Sequence, residues 1–256
     1  MQYRNKVQLL DYVGSDKRFC LSAWQSTTGE LGIELPENIK DRVDVIFAYI
    51  CKQKKKTPEQ LLDALASDGH HTPFEKSYID FQVTADVASH IHCLKHRISV
   101  SINAESARYK EYTDDKFYLP EDWVGITVSE HSRAKLSNNP IIFALGVAAQ
   151  WRWFDMLRLW NEAAAALYHT ATDDMRVALG AKRAKETTRY FLTYSTQLNF
   201  DVAFNFRSFM HFLSLRKKVN AQDEIHAIAA EMLRQVQSIQ GEPFKLSLKA
   251  FGYETK

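Results

Sequence analysis

The sequence predicts an α+β fold with a helical majority, built as a single domain over residues 1–256. Three observations predict it. With 45% hydrophobic and 12% aromatic residues but only 9 Gly and 6 Pro, the chain can bury a sizeable core and has few breakers. Apolar residues recur at helical spacing in several long segments, while two short segments read as strands. No linker, repeat or low-complexity stretch divides the chain.

Val7 to Val13 reads as a short strand. Asp41 to Cys51 has helical apolar spacing, and the charged run Lys52 to Lys56 faces solvent. Thr57-Pro58-Glu59 opens a helix: Thr57 caps it, Pro58 fits the first turn, and Leu61, Leu62 and Leu65 form the apolar face. Gly69 to Pro73 breaks the chain. Ser77 to Thr84 then alternates, with Ile79, Phe81 and Val83 on one side of a half-buried strand. Ala85 to Ile98 reads as a helix whose carboxyl end carries Lys95-His96-Arg97, a placement the helix dipole favours. Asp114 to Trp123 reads as loop. Ala144 to Thr170 is one long amphipathic helix with Trp151, Trp153 and Trp160 on a broad apolar face. Asp174 to Glu186 and Ala221 to Gln237 are further helices, and an aromatic-rich segment, FNFRSFMHFLSLR, precedes the last.

The formal net charge of +2 argues for neither nucleic acid nor membrane, so any anion site is a local cluster. Cys20, Cys51 and Cys93 are odd in number and lack CxxC spacing, which predicts free thiols and no metal site. No apolar run approaches a membrane span, and the start MQYRNKVQLLDYVG lacks the apolar stretch of a signal peptide. These features predict a cytoplasmic protein.

One local cluster stands out. KHRISVSINAESARY, Lys95 to Tyr109, packs Lys95, His96, Arg97 and Arg108 among small hydroxyl and amide groups. Guanidinium forks beside short neutral donors suit phosphate. The alternative is a basic helix end running into a solvated loop. The segment resembles the signature of the flavin-dependent thymidylate synthases, RHRxxSxNExSxRY. Here His96-Arg97, Ser101, Asn103, Ser106, Arg108 and Tyr109 match. Lys95 replaces the first Arg, Ala104 replaces the Glu, and one extra residue precedes Ser101. Two further segments resemble the same family. Gly69-His70-His71-Thr72-Pro73-Phe74-Glu75 is similar to its Gly-His-x-x-Pro-Phe-Glu stretch. Asn205-Phe206-Arg207-Ser208 through Phe212-Leu213-Ser214-Leu215-Arg216 is similar to its Asn-x-Arg-Ser segment, although the Leu-Pro expected after Arg189 is absent. The resemblance spans roughly residues 7 to 240.

The resemblance implies a helix-rich domain with a central mixed or antiparallel sheet. It implies FAD as cofactor, held by His70, Thr72, Lys95, His96, Arg97, Ala104, Asn205, Phe206, Arg207 and His211. It implies deoxyuridylate (dUMP) as substrate, contacted by His92, Lys95, Ala104, Glu105, Ser106, Ala107, Arg108, Arg189 and Arg216. Arg216 is the implied catalytic residue, stabilising charge on the uracil ring. Methylenetetrahydrofolate and NADPH are the implied co-substrates, and a homotetramer with shared active sites the implied assembly. Two other readings remain open. One is a flavin-dependent one-carbon transfer to another pyrimidine nucleotide, motivated by Lys95, His92 and the extra residue. The other is a non-catalytic nucleotide- or RNA-binding protein that uses Arg207 and nearby Phe rings as a stacking platform.

Overall fold

The structure is a computed structural model, and it describes residues 4–218 and 220–254. In chain order the elements are β1 (Lys6–Val13), α1 (Asp16–Trp24), α2 (Ile39–Cys51), α3 (Pro58–Ser67), β2 (Tyr78–Asp86), α4 (Val87–Leu94) and β3 (Val100–Ala104). They continue with α5 (Glu130–Leu136), α6 (Pro140–Ala148), α7 (Trp153–Leu179), α8 (Ala181–Thr188), β4 (Gln197–Phe204), α9 (Phe206–Arg216), α10 (Asp223–Gln237) and α11 (Lys245–Ala250). The strands form one antiparallel sheet in the order β1-β2-β4-β3, so the expected helix-rich α+β architecture is present. The described chain gathers into two compact units. One comprises residues 4–6, Thr84–Leu94 and Ala104–Phe200; the other comprises Val7–Val83, Lys95–Asn103 and the residues from Asp201 onward.

The strand alternation of Ser77 to Thr84 is realised in β2, where Ile79, Phe81 and Val83 are fully buried. α3 starts as its sequence dictates. Thr57 Oγ1 accepts from Gln60 N–H while the Gln60 side chain accepts from Thr57 N–H, a capping box with Pro58 in the first turn.

Three expectations are corrected. The helix expected over Ala85 to Ile98 is α4 alone, and it ends at Leu94. Asp86 belongs to β2, and its carboxylate accepts from Ser89 N–H (2.8 Å) and Ser89 Oγ (2.8 Å), which starts the helix later. Lys95-His96-Arg97 therefore lie beyond the helix, not in its last turn. The single helix expected over Ala144 to Thr170 is split between α6 and α7. Gln150 (φ 51°) and Trp151 (φ 55°) turn the chain back, Trp151 N–H donates to Gly146 C=O at 2.7 Å, and the Trp151 ring sits where a Cβ on residue 146 would stand. Finally, α7 runs through Asp174 to Leu179. Gly180 (φ 82°) then breaks the chain before α8, so Asp174 to Glu186 is not one helix.

The aromatic core of the second unit forms around α9. Phe19, Phe74, Phe206 and Phe244 pack with ring centroids 5.3–6.0 Å apart, and all four are at most 1% exposed. The end of the described chain is tied down by Asp16. Its carboxylate accepts from Leu246 N–H (2.7 Å), Ser247 N–H (2.9 Å) and Ser247 Oγ, which caps α11 with a buried acid from α1.

Candidate functional site

In the second unit, the turn after α4 and the solvent-facing side of α9 form an open cavity of about 750 Å³. Lys95, Arg97, Arg207 and Arg216 line it, together with His71, His96 and His211, and no carboxylate does. Such a cation-rich wall favours an anion.

Its geometry follows from how α9 begins. Asn205 caps the helix, its side chain accepting from Ser208 N–H at 2.8 Å. Asn205 N–H donates to Ser99 C=O (3.3 Å), and Ser208 Oγ donates to Ile98 C=O (2.7 Å). These bonds seat the turn that carries Lys95, His96 and Arg97 on the first turn of α9. The extra residue of the signature falls in this turn, where Ser99 takes up the left-handed conformation (φ 53°). The insertion is thus absorbed before β3 begins.

Across the cavity, Arg216 Nε donates to His96 Nε2 at 3.1 Å. That ring nitrogen accepts, so the His96 proton sits on Nδ1. The His96 ring stands edge-on to buried Phe212, centroids 5.0 Å apart, and 6.1 Å from His211. Arg207 is ion-paired with Glu75, which orients its guanidinium from the turn before β2.

The structure brings together Lys95, His96, Arg97, Arg207, His211 and Arg216 of the expected residues, and it places others outside the cavity wall. His70 is exposed and outside the cavity wall; its neighbour His71 takes that place. Thr72 is exposed at the start of a short 3-10 turn and does not line the cavity. The Asn205 side chain is spent on capping. Phe206 is fully buried with its ring in the core, and its N–H donates to Ser77 Oγ at 2.7 Å. Phe209 and Phe212 are fully buried as well, which removes the stacking platform that an RNA-binding reading requires.

Apart from Lys95 and Arg216, the expected nucleotide residues lie in the first unit. Glu105 N–H donates to Asn199 C=O, and Asn199 N–H donates back to the Glu105 carboxylate, both at 2.9 Å. Lys110 Nζ reaches the other carboxylate oxygen at 2.9 Å. Burial works to raise this acid's pKa, but Asn199 N–H and Lys110 outweigh it and hold the carboxyl below its ordinary range. Residues 106–110 form a turn in which Tyr109 and Lys110 N–H both donate to Ser106 C=O, and Ser106 Oγ accepts from Arg108 N–H at 3.3 Å. Arg108 pairs with Glu186 at 3.4 Å and lies over the Tyr109 ring. Ala104 ends β3, Ala107 is buried, His92 is half-buried near the end of α4, and Arg189 is exposed on a 3-10 turn. Only Glu105 of this set lines the small cleft beside Tyr112, Asn161 and Asn199.

Sequence reasoning missed His71, Phe251 and Asn199. For Asn199 the signal was a polar position between Leu198 and Phe200 in an alternating segment; for Phe251 there was none.

Among the described residues no helix is long and apolar enough to cross a membrane. No group of three or more His, Cys, Asp or Glu among them is arranged to hold a metal ion. Cys93 is 1% exposed, and burial, with Asp16 and Cys51 nearby, pushes the Cys20 thiol up to about 12; neither is placed as a nucleophile.

Residues 8–240 match a family model described as thymidylate synthase complementing protein. The flavin-dependent thymidylate synthase of Pseudothermotoga lettingae is 26% identical over 238 residues, 92% of this chain and 86% of that protein. That of Thermosipho melanesiensis is 30% identical over 185 residues, 70% of this chain and 72% of its own length. Among solved structures, the fold is similar to the UMP/dUMP methylase PolB of Streptomyces cacaoi bound with 5-Br UMP. The TM-score is 0.63 at 21% identity, covering 100% of this chain and 98% of that one. A family match over nearly the whole chain, on a fold whose cation-lined cavity is built from the signature itself, leads to one assignment: the chain belongs to the flavin-dependent thymidylate synthase family.

Proposed function

We propose that this enzyme methylates dUMP to thymidylate reductively, with FAD as redox carrier, methylenetetrahydrofolate as one-carbon donor and NADPH as reductant. The observation that carries this reading is the carboxylate-free cavity lined by Lys95, Arg97, Arg207 and Arg216. Its donors fit FAD, whose diphosphate needs cations and whose ring accepts hydrogen bonds. Lys95, His96, Arg97, Arg207 and His211 hold the cofactor, and the bound flavin supplies the hydride chemistry. Arg216 stabilises the negative charge that develops on the pyrimidine while holding His96 in one tautomer. The Ser106–Arg108 turn and Glu105 bind the nucleotide. The active unit is a homotetramer; Trp160 (48% exposed) and Leu167 (52% exposed) on α7 leave an apolar surface suited to a second copy.

A second acceptor is also proposed. PolB is a UMP/dUMP methylase, and here Lys95, His92 and the Ser99 turn depart from the family pattern. Tritium release from C5-labelled dUMP with methylenetetrahydrofolate, NADPH and FAD tests the first reading. The same assay with labelled UMP tests the second. Release from dUMP supports the assignment; no release from either, in protein shown to bind flavin, overturns both.

A further inference from the structure

The family match ends at residue 240, yet the cavity does not: Phe251, just past α11, lines it. The Phe251 ring lies 5.2 Å from the His71 ring and 5.0 Å from that of buried Phe74. His71 is fixed from behind, because its Nε2 donates to Ala66 C=O at 3.2 Å. That bond places a proton on Nε2 and leaves Nδ1 as the ring nitrogen available to a ligand. The segment is held in place by Asp16, which grips Leu246 and Ser247, and by Asp16 N–H donating to Pro243 C=O at 2.7 Å. Two flat rings therefore line the same cavity as Lys95, Arg97, Arg207 and Arg216.

We propose that the segment after residue 240 supplies a binding wall: Phe251 and His71 pack a planar heterocycle of the bound cofactor, with His71 Nδ1 as hydrogen-bond acceptor. The division of labour is chemical. The cations neutralise a diphosphate, while an aromatic wall offers a surface to a ring system that water solvates poorly. This inference rests on the flavin reading above and names residues of this chain that the family signature does not contain.

The test is fluorescence titration of the full chain with FAD, FMN and ADP, comparing the parent with Phe251→Leu and His71→Phe. Loss of the aromatic face in Phe251→Leu, or of the Nδ1 acceptor in His71→Phe, should weaken FAD binding by about tenfold. An equal loss with FMN places the isoalloxazine on the wall, and an equal loss with ADP places the adenine there. Should a variant fold poorly, hydrogen exchange in the unmodified chain decides: added FAD should slow exchange over residues 245–254, and unchanged exchange overturns the proposal. Variants that bind all three ligands within about twofold of the parent also overturn it, while the flavin reading survives. A parent chain that binds none of the three overturns both.

Discussion

Arg216 and His96 are joined by a hydrogen bond of 3.1 Å in which the guanidinium donates and the imidazole accepts. The arginine thus does two things at once, presenting charge to the cavity and fixing which nitrogen of His96 carries the proton. Arg216→Ala should lower turnover by about 10²–10³ while flavin content falls much less. Steady-state rates measured beside flavin per chain will separate the two effects. Parental turnover in this variant would refute the assigned role.

Lys95 is exposed on the turn before β3, at the edge of an open cavity. Lys95→Arg should therefore retain turnover, since a longer cation has room there. A large loss would mean that the turn around Ser99 has been rebuilt for the shorter side chain. kcat and the KM for nucleotide, measured on the variant, decide this.

Ser99 adopts a left-handed conformation that costs an L-residue about 1 kcal/mol or more. Ser99→Gly should raise the melting temperature slightly, and Ser99→Val should lower it by clearly more. Equal melting temperatures for the two variants would show that the turn is not strained.

Gly146 has no room for a side chain: a Cβ would stand 2.6 Å from the Trp151 ring. Gly146→Ala should cost about 1–3 kcal/mol, because the ring or α6 must shift. Urea unfolding will show it. An unchanged midpoint would mean that Trp151 moves aside freely.

Glu105 provides a pH test with a defined sign. Its carboxyl is held below its ordinary range in the folded chain, so its contribution to stability is present above the unfolded pKa. The contribution is lost as pH falls through the lowered folded value. The stability difference between the parent and Glu105→Gln should therefore shrink on acidification from pH 6 to pH 3. A difference that grows in that interval would contradict the pairing with Asn199 and Lys110.

Alternation of apolar and polar residues was the legible mark of a strand in this sequence. β2 alternates because only one of its faces is covered, so Ile79, Phe81 and Val83 announced it. β4 carries the same signal, with Leu198, Phe200, Val202 and Phe204 buried and the polar Asn199 and Asp201 between them half-buried, although it is not among the strands read from the sequence. The break between α6 and α7 was not legible. It depends on a packed contact between Gly146 and Trp151, and no local propensity records that. At the site, the three family-like segments contain the cations that line the cavity, Lys95 and Arg97 in the signature and Arg207 and Arg216 on α9. His71 rather than His70 lines the cavity, packed against Phe251.

The Asp16 clasp also bears on how the chain is made. A ribosome releases α1 long before Pro243, Leu246 and Ser247 exist, so this acid waits for its partners throughout synthesis. The unit it belongs to is assembled from Val7–Val83, Lys95–Asn103 and the stretch from Asp201 onward, and its core closes only after that last stretch has been made. Nascent chains stalled before residue 243 should therefore remain protease-sensitive over α1.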